Sequence, residues 1–180
     1  MEYWDVYDAS RTKTGKTVRR AMDGLAPGEY HLSVHVVVIN PQGELLIQRR
    51  ADNKADWPGI WDIAAAAGNA LAGESSGEAA QRELFEELGL KIDLTDCAPR
   101  MSITLDNCFG DWYVVTARPE LKDLRLQPDE VMDILWATKE TVLRMIDDGR
   151  MVDYYPGLIE LLLADGHTGA MRSWRGRYRI

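Results

Sequence analysis

The sequence predicts an α/β (α+β) protein, a mixed and largely antiparallel sheet covered by helices on both faces. Three observations carry this. Runs rich in β-branched residues stand on both sides of one strongly helical segment, residues 76–88. The second group of runs is followed by two further helical segments. No internal repeat, low-complexity tract or linker divides the chain, so its 180 residues are expected to form one domain (1–180) able to bury a full core.

Taken in order, Tyr3 to Arg20 is polar, with a turn-prone Gly15 and a strand-like Thr17-Val18 pair, and reads as an extension or a short hairpin. Residues 1–29 therefore form an N-terminal extension that ends in a loop punctuated by Pro27 and Gly28. "HLSVHVVVIN" and "ELLIQRR" are two strands turned by "PQG", an antiparallel hairpin. "ADNKADWPGIWD" is a loop, and "IAAAAG" is read as a short buried strand. The helix from Ser76 to Leu88 is capped by Ser75 or Ser76 and stopped by Gly89. "RMSITLDN" and "DWYVVTARP" are strands around a tight connection, and "VMDILWAT" is another. "KETVLRMIDDG" is a helix closed by Gly149, and "PGLIELLLADG" one started by Pro156.

Composition narrows the function. An apolar share of 46% and a charged share of 28% suit a globular protein, and no stretch reaches the length of a membrane-spanning helix. The first twenty residues lack the apolar core of a secretory signal. Two cysteines, Cys97 and Cys108, make no disulfide framework and no metal-binding pair. They read as buried thiols in a reduced, cytoplasmic setting. A net charge of −8 argues against a nucleic-acid polymer as partner, although a local basic patch or a bound cation still admits a small phosphorylated ligand. The C-terminal tail, residues 170–180, holds four arginines and no acid. It is expected to fray, with docking on the acidic body or on a second subunit of a homodimer as the alternatives.

The helix carries the chemistry. Glu83, Glu86 and Glu87 fall within an arc of about 100°. Leu84 and Leu88, extended by Phe85, form a separate apolar stripe, and Ala79 and Ala80 leave room beside the acids. Like charges at this spacing oppose the helix unless a cation joins them. Hard carboxylate oxygens select Mg²⁺ (or Mn²⁺), which completes its shell with water and substrate phosphate. Arg82, one turn before Glu86, is placed to hold a carboxylate.

The spacing Gly68, Glu74, Arg82-Glu83-Leu84, Glu86-Glu87, Gly89-Leu90 fills every fixed position of the Nudix box, and the chain resembles that family. The resemblance implies an α/β/α sandwich and divalent-metal-dependent cleavage of a diphosphate linkage, in a nucleoside diphosphate derivative or a similar small diphosphate. It makes Glu83, Glu86 and Glu87 metal ligands, with the backbone carbonyl near Ala67-Gly68 completing the site. Arg82 orients the glutamates, and Glu74 is structural or a secondary ligand. The general base is Glu83, Glu86 or an acid of the later "QPDEV" loop, Glu130 before Asp129.

A second resemblance, to isopentenyl-diphosphate isomerases and their Nudix relatives, runs from about Val6 to Met145. It implies that Arg50 and Lys54, with Arg49 beside them, receive the diphosphate. The isomerase cysteine is absent, because Ala67-Gly68-Asn69 stands in place of Cys-Gly-His. Of the isomerase histidines only His31 remains, read here as a hydrogen-bonded residue at a strand start. The isomerase's later acid has no clear counterpart near Gly110-Asp111. Hydrolysis is thus preferred over isomerase activity and over a non-catalytic binding module. Trp57 and Trp61 bracket a Pro-Gly turn and are expected to pack on the core rather than stack on a base.

Overall fold

The computed structural model describes residues 2–20 and 24–164; the basic tail lies outside the described residues. Nine strands and three α-helices are found among them: β1 (Tyr3–Tyr7), β2 (Lys13–Arg19), β3 (His31–Ile39), β4 (Leu45–Arg50), β5 (Trp61–Asp62), β6 (Ala66–Asn69), α1 (Ser76–Leu88), β7 (Met101–Thr104), β8 (Cys108–Thr116), β9 (Val131–Ala137), α2 (Lys139–Asp147) and α3 (Pro156–Leu163). The sequence order of strands, helix, strands and two helices is thus borne out. Boundaries differ. The alanine-rich strand begins at Ala66 rather than Ile63, because Ile63 to Ala65 are wholly buried but turn the chain instead of pairing along it.

The extension is a two-stranded antiparallel hairpin, β1 with β2, joined to the body by a bridge between Tyr7 and Tyr30. The main sheet has seven strands in the order β5-β4-β3-β8-β7, with β6 on β3 and β9 on β4. It is mixed because β3 and β8 run parallel over nine pairs, from His31 with Cys108 to Ile39 with Thr116, while the other pairings are antiparallel. One edge of β3 is shared: Ser33–Val36 pair with β6, and Val38 and Ile39 pair with β4. The sheet therefore splays there, opening a cleft at the end of β4.

Alternation along the strands sorts two cores. Val34, Val36, Val38 and Leu46 face α1, and Val37, Leu45 and Ile47 face α2 and α3. Helices thus cover both faces, as expected. Ser75 caps α1 through a reciprocal box with Glu78, and Gly89 ends it at φ 68°. Leu84 and Leu88 are fully buried, so Leu84→Ala would cost about 3 kcal/mol. Three local expectations are corrected. Phe85 leaves the apolar stripe and lies exposed under the Lys91 ammonium, because a helix rotates each residue by about 100° and Leu84 and Leu88 already fill the core side. Ala79 and Ala80 are packed in the core and leave no open room. Cys108 is buried, but Cys97 is exposed.

Candidate active site

Pairing β6 with β3 lays Ala67 and Gly68 beneath the acid face of α1. Glu87 is 3% exposed; one oxygen accepts the Ala67 N–H at 3.1 Å and the other the Gln48 amide at 3.2 Å. Neither donor carries charge. Burial, with the Glu83 charge beside it, pushes the Glu87 carboxyl up to about 8. Glu83 lies on the same face, its carboxylate directly over the Gly68 Cα. A Cβ at residue 68 would collide with it, which is why glycine stands there. Burial also raises the Glu83 carboxyl, with Arg82 pulling the other way.

Arg82 is the hub beside them. Its Nε and Nη2 donate to Glu74 at 2.7 and 2.9 Å, Nη1 to Glu83 at 2.8 Å and Glu86 at 3.2 Å, and Nη2 also to the Asn69 carbonyl at 3.0 Å. The guanidinium is held firmly protonated by these carboxylates. One side chain thereby ties the loop before α1 to two of the three glutamates. Glu86, half-exposed, sits at the outer edge. Among the described residues no three acidic, histidine or cysteine side chains form a closed metal cage. The donor set nevertheless suits a hard divalent cation, being carboxylate oxygens with one buried member that lacks a cationic partner.

The cleft beside this face is a cavity of about 990 Å³ that reaches Gly68, Arg50, Lys54 and Glu130. Arg50 donates from Nε and Nη2 to the Asp56 carbonyl at 3.2 and 3.0 Å, and its Nη1 lies 3.8 Å from the buried Asp62 carboxylate. Lys54 and Glu130 form an ion pair across the cavity, their loops joined by the Ala51 N–H donating to the Glu130 carbonyl at 2.9 Å. Glu130 adds to the field that raises both Glu83 and Glu87, so the three carboxylates share one region. Arg49 is elsewhere. The strand period of two turns it from the cavity, and its Nε donates to the Gly59 carbonyl at 3.0 Å.

Several lining residues escaped the sequence reading. The hairpin and its end contribute Trp4 and Arg20, the sheet contributes His35 and Asp62, and the segment before α3 contributes Tyr154. Sequence distance hid them: Tyr154 donates to Asp62 at 2.9 Å across 92 positions. His31 opens β3, as expected, and is stacked on Trp4 at 4.5 Å. Burial lowers its pKa, and lowers that of His35 to about 4. Asp111 is buried outside the cavity lining, held by Arg11, Ser76 and Ser102. The tryptophans divide: Trp61 packs on the core, but Trp57 is half-exposed and lines the cavity.

Gly68 under the Glu83 carboxylate, the buried Glu87 beside it, and Arg82 joining Glu74, Glu83 and Glu86 are the Nudix box in three dimensions. The NUDIX domain model matches residues 29–156, and the chain belongs to the Nudix family. An uncharacterized Nudix hydrolase of Listeria monocytogenes is 43% identical over 155 residues, covering 86% of this chain and 90% of its own. At that identity over nearly the whole length, this chain is an enzyme of the Nudix hydrolase type. The isopentenyl-diphosphate Delta-isomerase of Citrobacter koseri is 37% identical over 121 residues, 64% of this chain and 66% of that one. Among solved structures, DR0079 of Deinococcus radiodurans superposes with a TM-score of 0.72 at 25% identity, covering 89% of this chain and 97% of that one. No helix among the described residues is long and apolar enough to cross a membrane.

Proposed function

We propose that this protein is a divalent-metal-dependent hydrolase that cleaves the diphosphate linkage of a nucleoside diphosphate derivative. The observation that carries the reading is the buried Glu87, with no cation on it, beside a Glu83 whose carboxylate fills the space over Gly68. Glu83, Glu86 and Glu87, with the Gly68 carbonyl, would hold Mg²⁺ or Mn²⁺. When bound, the metal neutralises the diphosphate and makes a bound water acidic. Arg82 keeps Glu83 and Glu86 at fixed positions and holds the end of β6 at Asn69. Arg50 and Lys54 present positive charge to the phosphates, and Asp56 and Asp62 fix the guanidinium of Arg50. Glu130, at the cavity wall, accepts the proton of the attacking water once phosphate has taken Lys54 from it. Arg49 serves by anchoring the loop at Gly59.

A second reading, isomerisation of isopentenyl diphosphate, requires an acid that can protonate an alkene. Ala67 stands where the isomerases carry their cysteine. Cys108 is buried in the cavity wall, 3.8 Å from the Ser33 hydroxyl, and burial keeps its thiol protonated. Product analysis on isopentenyl diphosphate separates the two: released phosphate supports hydrolysis, and the isomeric diphosphate supports isomerisation. The direct test of the hydrolase is Glu86→Gln, assayed with Mg²⁺ on a panel of nucleotides, nucleotide sugars and dinucleotides. Turnover should be lost with folding nearly unchanged, since Glu86 is half-exposed. Turnover at the wild-type rate would remove the assignment.

A further inference from the structure

Trp57 is set apart by its backbone. Its φ of 53° is in the left-handed region, one of only two non-glycine residues there among those described. A bulky side chain in that region is strained, at a cost that persists only where the surroundings enforce it. Such enforcement is present. Arg50 grips the Asp56 carbonyl immediately before Trp57, and Arg49 grips the Gly59 carbonyl just after. Gly59, at φ 69°, packs where a Cβ would meet the Asp52 carboxylate at 2.7 Å. The loop is thus fixed in a form that holds an indole half in water, against the hydrophobic gain that burial would bring. Burial elsewhere does not explain the arrangement, because its neighbour Trp61 has taken the core position.

The direction in which the loop presents the indole matters. Trp57 lines the same cavity as Arg50 and Lys54, only a few residues along the chain from both. The remaining wall mixes polar groups, Asn53, Asp56, Asn69 and Asp129 among them, with the apolar Trp4, Leu105 and Val152. Such a mixture suits a flat group with apolar faces and hydrogen-bonding edges. The volume of about 990 Å³ is at the upper end for small-molecule sites, room for a nucleotide-sized ligand.

We infer that Trp57 is a specificity-determining residue, a stacking face for the planar base of a nucleoside diphosphate substrate whose phosphates lie toward Arg50 and Lys54. This rests on the hydrolase reading for its substrate class, but not for its test. Trp57→Gly should keep or raise the melting temperature, because glycine adopts φ 53° freely and little apolar contact is lost. Trp57→Phe keeps a smaller ring. Binding of AMP and CMP to the metal-free protein, by calorimetry, reads stacking without any turnover. AMP should bind the wild type more tightly than CMP, weaken about 5- to 100-fold in Trp57→Gly, and recover partly in Trp57→Phe. With a hydrolysed nucleotide substrate, the same loss should fall on KM while kcat stays within about threefold. Absence of AMP binding to the wild type, or equal binding in Trp57→Gly, overturns the inference. So does a large drop in stability with binding retained, which would make the indole structural. Turnover failing across the whole substrate panel while AMP still binds through Trp57 would remove the hydrolase reading alone.

Discussion

Asp111 and Glu87 are both buried carboxylates on the central layers of the fold, and the protein treats them in opposite ways. Asp111 is 0% exposed and fully answered: the Arg11 guanidinium reaches it from the tip of the hairpin, and the Ser76 and Ser102 hydroxyls donate to it. Glu87 receives one backbone N–H and one amide, and its nearest charged neighbour is another acid. A buried charge left without its counter-charge is a net cost to the folded state. The first arrangement fastens the extension to the sheet. The second leaves an electrostatic need that a cation would meet under the proposed function, and on that proposal the difference separates a structural acid from a metal ligand.

That contrast can be broken most forcefully at the site. Glu83→Gln removes a charge from the proposed metal site, and kcat/KM should fall about a thousandfold with the melting temperature little changed, as steady-state assays and calorimetry would show. The opposite outcome belongs to the structural acid. Arg11→Ala leaves the Asp111 charge with hydroxyl partners alone and should cost about 3 kcal/mol in denaturant unfolding. The backbone at residue 11, φ 62°, stays as strained with alanine as with arginine, so no relief offsets that loss.

Glu87→Gln should do the reverse of Arg11→Ala and stabilise the metal-free protein. The sign follows from the raised carboxyl: about 8 folded against an ordinary 4.5 unfolded. Between those values the folded state holds a proton that the unfolded state has released, so stability falls as pH rises toward 8. The variant should gain about 4 kcal/mol at pH 8 and almost nothing near pH 4.5, a slope that urea titrations at several pH values would resolve. A smaller effect lies on the acid side. His35, stacked on Trp112 at 4.2 Å, has its pKa lowered from 6.5 to about 4. The unfolded chain takes up a proton first, so stability should fall by about 2 to 3 kcal/mol as pH drops from 6.5 to 4. His35→Gln should flatten that limb.

Much of this was legible in the sequence because it is local. The acid spacing, the Ser75 and Gly89 caps and Arg82 one turn before Glu86 all lie within one helix and its flanks. Box position 68 was legible as glycine, but its reason was not, because the Glu83 carboxylate comes from fifteen positions on to fill the space above it. Asp111 drew no role because its counter-charge is a hundred residues away. Arg49 and Arg50 look equivalent in sequence, yet adjacent strand residues face opposite ways, so only Arg50 meets the cavity. Trp57 and Trp61 were separated only by the sign of one backbone angle and by which of them the core could accept.

Proton release on metal binding tests the central claim most directly. With Glu87 near 8, the metal-free site holds close to one proton at pH 7, and a divalent cation must displace it. Titrating Mg²⁺ or Mn²⁺ into the protein by calorimetry, in two buffers of different ionisation enthalpy, counts that proton. Release of about one proton is expected in the wild type and almost none in Glu87→Gln. Binding without proton release, or equal release in both proteins, would contradict it.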